Sequence, residues 1–191
     1  MDFVREGILQ QPVIFVLLIF SLSVLDETLT KAARELYTRG HNRYFVYIGA
    51  KSSPTLKNTK VRWAIRLSIP LLLLINSYIA KLSEDLTLEA INEIIAGFAF
   101  FSYLIIDLRH FENVLIYRLT RNGNDEERGT DLEGELIIGR HFSLRQSSIQ
   151  ILAMALLLFA VLIFHPTYFM LGGFLAPLSF SARNLILSKS Y

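Results

Sequence analysis

Five stretches of mostly apolar residues, each close to the length that crosses a bilayer, divide this chain. A helix rises about 1.5 Å per residue, so about 20 apolar residues span a hydrocarbon core of about 30 Å. The stretches cover residues 8–25, 63–80, 88–106, 149–164 and 168–187. Few folds are open to such a chain, because a backbone in lipid must satisfy its own N–H and C=O groups, and a single helix does so. The composition agrees: 52% of residues are hydrophobic and 19% are charged, where a soluble domain carries about 25% charge. The expected fold is an all-α integral membrane protein, a five-transmembrane-helix bundle forming one membrane domain over residues 1–191. This excludes soluble enzyme folds, disordered chains and disulfide-stapled secreted domains. With no cysteine, it also excludes thiolate metal sites and thiol nucleophiles.

The boundaries carry local signals. The first stretch runs into Asp26-Glu27, not into a small-residue cleavage site, which separates it from a signal peptide. Only His165-Pro166-Thr167 lies between the fourth and fifth stretches, so a tight helical hairpin is expected there. Pro70 and Pro177 are expected to kink their helices. Gly172-Gly173 is expected to allow close packing, and a fifth helix broken by Gly172, Gly173 and Pro177 would suit a transporter's substrate site.

Charge sets the expected orientation. Of the 19 Lys and Arg residues, 17 fall in loops 26–62 and 107–148, their flanks and the C-terminal tail; Arg5 and Lys81 alone fall on the other side. By the positive-inside rule the N-terminus is outside and the C-terminus is cytoplasmic, in a cell membrane. The basic face would meet anionic lipid headgroups. The net charge of +2 is too small to point to nucleic acid, and none is expected as a partner.

Both long loops begin as continuations of helices. Leu25, Leu29, Ala32, Ala33 and Leu36 recur at helical spacing up to Arg39-Gly40, and the third stretch continues through Tyr117 towards Asn122-Gly123. Helical extensions to about Arg39 and Arg121 are expected. Each is followed by a short apolar patch, residues 44–48 and 136–138; the first, rich in aromatics, suits the headgroup region. Ser143 to Gln146 fits a capping box opening the fourth helix. Stretch, aspartate, amphipathic extension, patch and stretch thus occur twice, which suggests a parallel duplication of a two-span unit.

Candidate chemistry concentrates at Asp107, Arg109, His110, Glu112 and Asn113, with Asp26 at the matching end of the first stretch. Arg109 could bind phosphate oxygens in pairs and His110 could move a proton. The competing reading pairs Arg109 with Glu112 on a helix leaving the membrane. Asp26, Asp107 and His110 could also hold a divalent cation or act as acid and base. His41, His110 and His141 share a side, but none has paired metal-ligand spacing, so neither a metal nor a cofactor is expected. Arg62 and Arg66 are expected to anchor the second helix at the interface, and Asn76 and Ser77 to bond neighbouring helices.

No catalytic motif is present, so the activity is open. The leading expectation is an interaction or assembly subunit, or a lipid-surface scaffold, in contact with membrane lipids, other membrane subunits or a second copy. The alternatives are a small transporter or channel, and an interfacial enzyme acting on a lipid headgroup.

Overall fold

The computed structural model describes residues 11–39, 45–48, 59–83, 85–122 and 136–189. In chain order these form α1 (Pro12–Arg39), β1 (Phe45–Ile48), α2 (Thr59–Ser83), α3 (Leu86–Asn122), β2 (Leu136–Gly139), α4 (Arg140–Phe164) and α5 (Tyr168–Lys189). All five helices are long and apolar enough to cross a membrane, over Pro12–Thr38, Trp63–Ser83, Leu86–Arg118, His141–Phe164 and Tyr168–Lys189. The unbroken apolar and helical periodicity of the sequence therefore has its counterpart in structure. α1 and α3 run without interruption to Arg39 and Asn122, well past the apolar stretches that open them.

The burial pattern is inverted relative to a soluble domain. Ser23, Ser77, Asn92, Ser148 and Ser181 are almost fully buried, while Leu71, Leu72, Leu156, Leu157 and Phe164 face outward. Lipid is as apolar as leucine and gives no reason to hide large side chains, so small and polar residues collect where helices touch. α3 is central. α1 and α2 pack on it from one side and α5 from another, while α4 packs on α5.

Close backbone approach fixes the α3–α5 contact. A Cβ at Gly97 would collide with the Phe169 backbone, one at Gly172 with the backbone of Ile94 and Phe98, and one at Gly173 with the Phe101 ring. Around this crossing Phe15 of α1, Phe100 and Phe101 of α3 and Phe169 of α5 form a ring cluster, with centroid separations of 5.2–6.2 Å. Such pairs add about 0.5–1.5 kcal/mol each beyond burial. α4 and α5 are joined by reciprocal serine bonds. Ser148 Oγ donates to the Ser181 carbonyl (2.8 Å) and Ser181 Oγ to the Ser148 carbonyl (3.0 Å), while Asn184 Nδ2 donates to Ser147 Oγ (3.0 Å).

Several expectations change. The fold is not purely α: the apolar patches become β1 and β2, paired in parallel with Phe45 opposite Leu136 and Ile48 opposite Gly139. Backbone groups in a short apolar run need partners, and each patch supplies them to the other. The Ser143 capping box does not form. α4 begins at Arg140 directly from β2, with extended Gly139 at the N-cap and no side-chain cap, so Ser143 already lies inside the helix. The fifth helix is not broken. Pro177 is fully buried inside a continuous α5, as occurs where neighbouring helices support a freed carbonyl. The expected hairpin is present: α4 ends at Phe164 and Thr167 Oγ1 accepts the Met170 N–H (3.1 Å) as α5 starts. Gly40, Gly123 and the polar stretch 124–135 lie outside the described residues.

Candidate functional site: an acidic cluster between three helices

Ser23 and Glu27 lie one turn apart on the buried face of α1, with Asp26 beside them. Tyr103, Asp107 and His110 follow at four- and three-residue spacing on α3 and so share a stripe. Arg66 enters from α2, one turn inside its apolar stretch.

All three nitrogens of the Arg66 guanidinium are engaged. Nη2 lies 2.8 Å from Asp26 Oδ2, Nη1 lies 2.7 Å from Glu27 Oε2, and Nε donates to the Ser23 carbonyl at 3.2 Å. Its side chain is 13% exposed. Lys31 Nζ reaches Glu27 Oε1 from the periphery at 3.2 Å. His110 Nε2 lies 3.3 Å from Asp26 Oδ1, which Thr30 Oγ1 also approaches at 3.4 Å. The Tyr103 hydroxyl faces Ser23, Asp26, Arg66 and Asp107.

Asp107 differs from the rest. It is 4% exposed, and neither carboxylate oxygen has a hydrogen-bond partner among the described residues. The charge that acts on it is another acid, Asp26. The buried Arg66 guanidinium is thus bound to two carboxylates, and the third, Asp107, has Asp26 as its charged neighbour. An acid in this position carries a large desolvation cost that no hydrogen bond among the described residues offsets.

The six residues singled out from sequence divide between two sides of α3. Asp26, Asp107 and His110 come together between α1 and α3. Arg109 and Glu112 interact with each other. At about 100° per residue they fall about 200° and about 140° around the helix from Asp107. Glu112 is exposed and Arg109 half-buried. Asn113 is half-buried on the His110 side, where Tyr117 meets Tyr37 of α1 at 5.6 Å between ring centroids. Of the histidines considered together, His41 lies outside the described residues, His141 is exposed on α4 and His110 turns to Asp26.

Sequence reasoning missed Arg66, Glu27, Ser23 and Tyr103 as parts of the site. Arg66 was expected to point to the interface; two inward carboxylates on α1 draw it into the bundle instead. The available signal was the spacing, since Ser23 and Glu27 are four apart and Arg66 sits a turn deeper than Arg62.

A second polar group occupies the opposite end of α2 and α3. Asn76 Nδ2 donates to Asn92 Oδ1 (2.8 Å), as does Ser77 Oγ (3.2 Å). Asn76 and Ser77 thus bond a neighbouring helix. Their partner Asn92 is 0% exposed, and its own Nδ2 has no partner among the described residues.

The fold and this site define a helical bundle with the build of a multipass membrane protein, carrying ionisable groups between its helices. Comparison with protein-family models, with curated proteins and with solved structures finds no match to this chain.

Proposed function

We propose that this chain is a small multipass transport protein that works with protons, with Asp107 as the group that takes a proton up and releases it. The observation that carries this reading is the buried Asp107 carboxyl, with no donor on either oxygen among the described residues and an acid for a neighbour. Intramembrane ionisable residues facing a bundle interior mark ion and proton pathways. A proton suits these surroundings, because it needs one lone pair and cancels a charge that no counter-ion among the described residues offsets. A divalent cation would need six or so oxygen ligands, and Arg66 already engages Asp26 and Glu27.

Asp26 of α1 and Tyr103 of α3 bear on Asp107, while Arg66 of α2 binds Asp26 and Glu27, and His110 of α3 lies on Asp26. α5 packs about a quarter turn away around α3, through Gly97 and Phe101. His110 is one-third exposed and lies on Asp26, so it is the group suited to exchanging the proton with water. This reading replaces lipid-phosphate binding by Arg109, which stands on the other side of α3 from the acids.

Infrared difference spectra between acid and alkaline pH test it. The expected spectrum contains the carbonyl stretch of a protonated carboxylic acid, and Asp107→Asn removes that band while the helical amide bands persist. A wild-type spectrum in which Asp107→Asn removes nothing overturns the reading.

The proposal includes the orientation from the basic residues, with the N-terminus outside a cell membrane, the C-terminus cytoplasmic, and anionic headgroups against the basic side. It also includes a parallel duplication, supported by the parallel pairing of β1 with β2, which occupy equivalent places in the two halves. Single cysteines at Asp85 and His141, both exposed, are expected to label from opposite sides of intact cells, Asp85 from outside. Labelling of both from one side contradicts the topology.

A further inference from the structure

The chain holds two buried polar groups on the same set of helices, and they lie at opposite ends of the apolar length between them: Asn76, Ser77, Asn92 and Glu93 at one level, and Ser23, Asp26, Arg66, Tyr103 and Asp107 at the other.

 Along α3, Asn92 and Asp107 are 15 residues apart, which is about 22 Å of helix and most of a hydrocarbon core. Both faces point the same way: Asn92, Asp107 and His110 fall within about 60° of one another around α3. Glu93, the residue after Asn92, is buried in the same turn. Between the two levels the nearly fully buried side chains on this face are apolar: Ile19 on α1, Leu73 on α2 and Ala96 on α3. Ser102, whose Oγ is buried without a partner among the described residues, lies about 140° around α3 from Asp107.

Resting on the reading of Asp107 as a proton site, we infer that Glu93, with Asn76, Ser77 and Asn92, is a second proton station, and that the α1–α2–α3 interface is a proton route interrupted by an apolar layer at Ile19, Leu73 and Ala96. Two features set this end of the bundle apart from ordinary helix glue. Asn92 is fully buried with its Nδ2 unpartnered among the described residues, so its hydrogen-bonding capacity is only half used. It is also joined in the same turn by a buried acid, a residue that interhelical packing alone does not require.

The chemistry balances simply. A proton enters from water on the Glu93 side and is carried by the Glu93 carboxyl. It crosses the apolar layer when that layer transiently wets, reaches the Asp107 carboxyl, and leaves through Asp26 and His110 to water on the other side. Each step breaks one O–H or N–H bond and forms another, and no electron is transferred. The apolar layer gates the route in the way that hydrophobic constrictions gate channels by dewetting. Along this route Asp26 of α1 and Tyr103 of α3 bear on Asp107, and Glu27 of α1, Arg66 of α2 and His110 of α3 gather around Asp26.

The test uses the full chain in sealed liposomes that contain a pH-sensitive dye, with a potassium-diffusion potential to drive protons inward. Wild-type protein is expected to acidify the lumen. Glu93→Gln is expected to slow this by about tenfold or more, as loss of a positioned acid–base group does, while leaving the Asp107 infrared band in place. Leu73→Ser, which adds a hydroxyl to the dry layer, is expected to speed it severalfold. Wild-type protein that shows the Asp107 band but no proton flux overturns the route and leaves the Asp107 site standing, as does unchanged flux in Glu93→Gln. Absence of the Asp107 band overturns the reading on which the route rests.

Discussion

Replacing Arg66 with methionine is expected to destabilise the bundle by about 3–5 kcal/mol, the loss seen when one partner of a buried ion pair is removed. The size follows from what the guanidinium does. It binds Asp26 at 2.8 Å, Glu27 at 2.7 Å and the Ser23 carbonyl at 3.2 Å, so methionine leaves two carboxylates and a carbonyl without it. Lys31 still reaches Glu27, but from an exposed position where the attraction is screened. Lysine at position 66 is expected to recover little, since an ammonium cannot serve two carboxylates and a carbonyl in the planar fork that arginine provides. Adding Asp26→Asn and Glu27→Gln to Arg66→Met is expected to restore much of the lost stability, because the penalty comes from unpaired charge and not from lost packing. Unfolding in mixed detergent micelles measures all of these variants. An Arg66→Met protein within about 1 kcal/mol of wild type would mean that the arginine merely anchors α2 at the surface.

Gly172→Leu is expected to separate α3 from α5. A Cβ at this position already meets the backbone of Ile94 and Phe98, and Gly97 meets the Phe169 backbone in the same crossing. Backbone cannot rotate out of the way as a side chain can, so the helices must move apart. The Phe15, Phe100, Phe101 and Phe169 cluster lies beside this crossing and loses contact with them. Overpacking typically costs about 1–3 kcal/mol, and this site belongs at or above the upper end because two backbones are involved. Gly173→Ala is expected to be milder, since its obstacle is the Phe101 ring, which can shift. Gly139→Ala is the matched control: nothing lies within 4 Å of its Cβ position, and a change within about 0.5 kcal/mol is expected. Equal losses at Gly139 and Gly172 would show that backbone contact is not what holds α5 to α3.

The candidate site was partly legible. Asp26, Asp107 and His110 stood out because ionisable groups at the ends of apolar stretches are conspicuous, and helical spacing put Asp107 and His110 on one stripe. The division of the Asp107–Asn113 cluster between two sides of α3 could be drawn from helical spacing too, but not which side faces α1. Arg66 was misread for a physical reason. A long cationic side chain near a membrane boundary can reach either outward to headgroups or inward to acids, and only the position of α1 decides between them.

Length, hydropathy and turn chemistry are local properties, and they determined the five helices, the hairpin at Pro166 and the continuation of α1 and α3 to Arg39 and Asn122. Tertiary structure alone decided which faces meet. A helix that is apolar on all sides gives no sequence signal for its buried face, because lipid and helix neighbours are equally apolar. That is why the Gly97–Gly172 crossing, the Ser148–Ser181 bonds, the pairing of β1 with β2 and the inward turn of Arg66 emerge only in three dimensions: each depends on two segments far apart in sequence meeting at one depth.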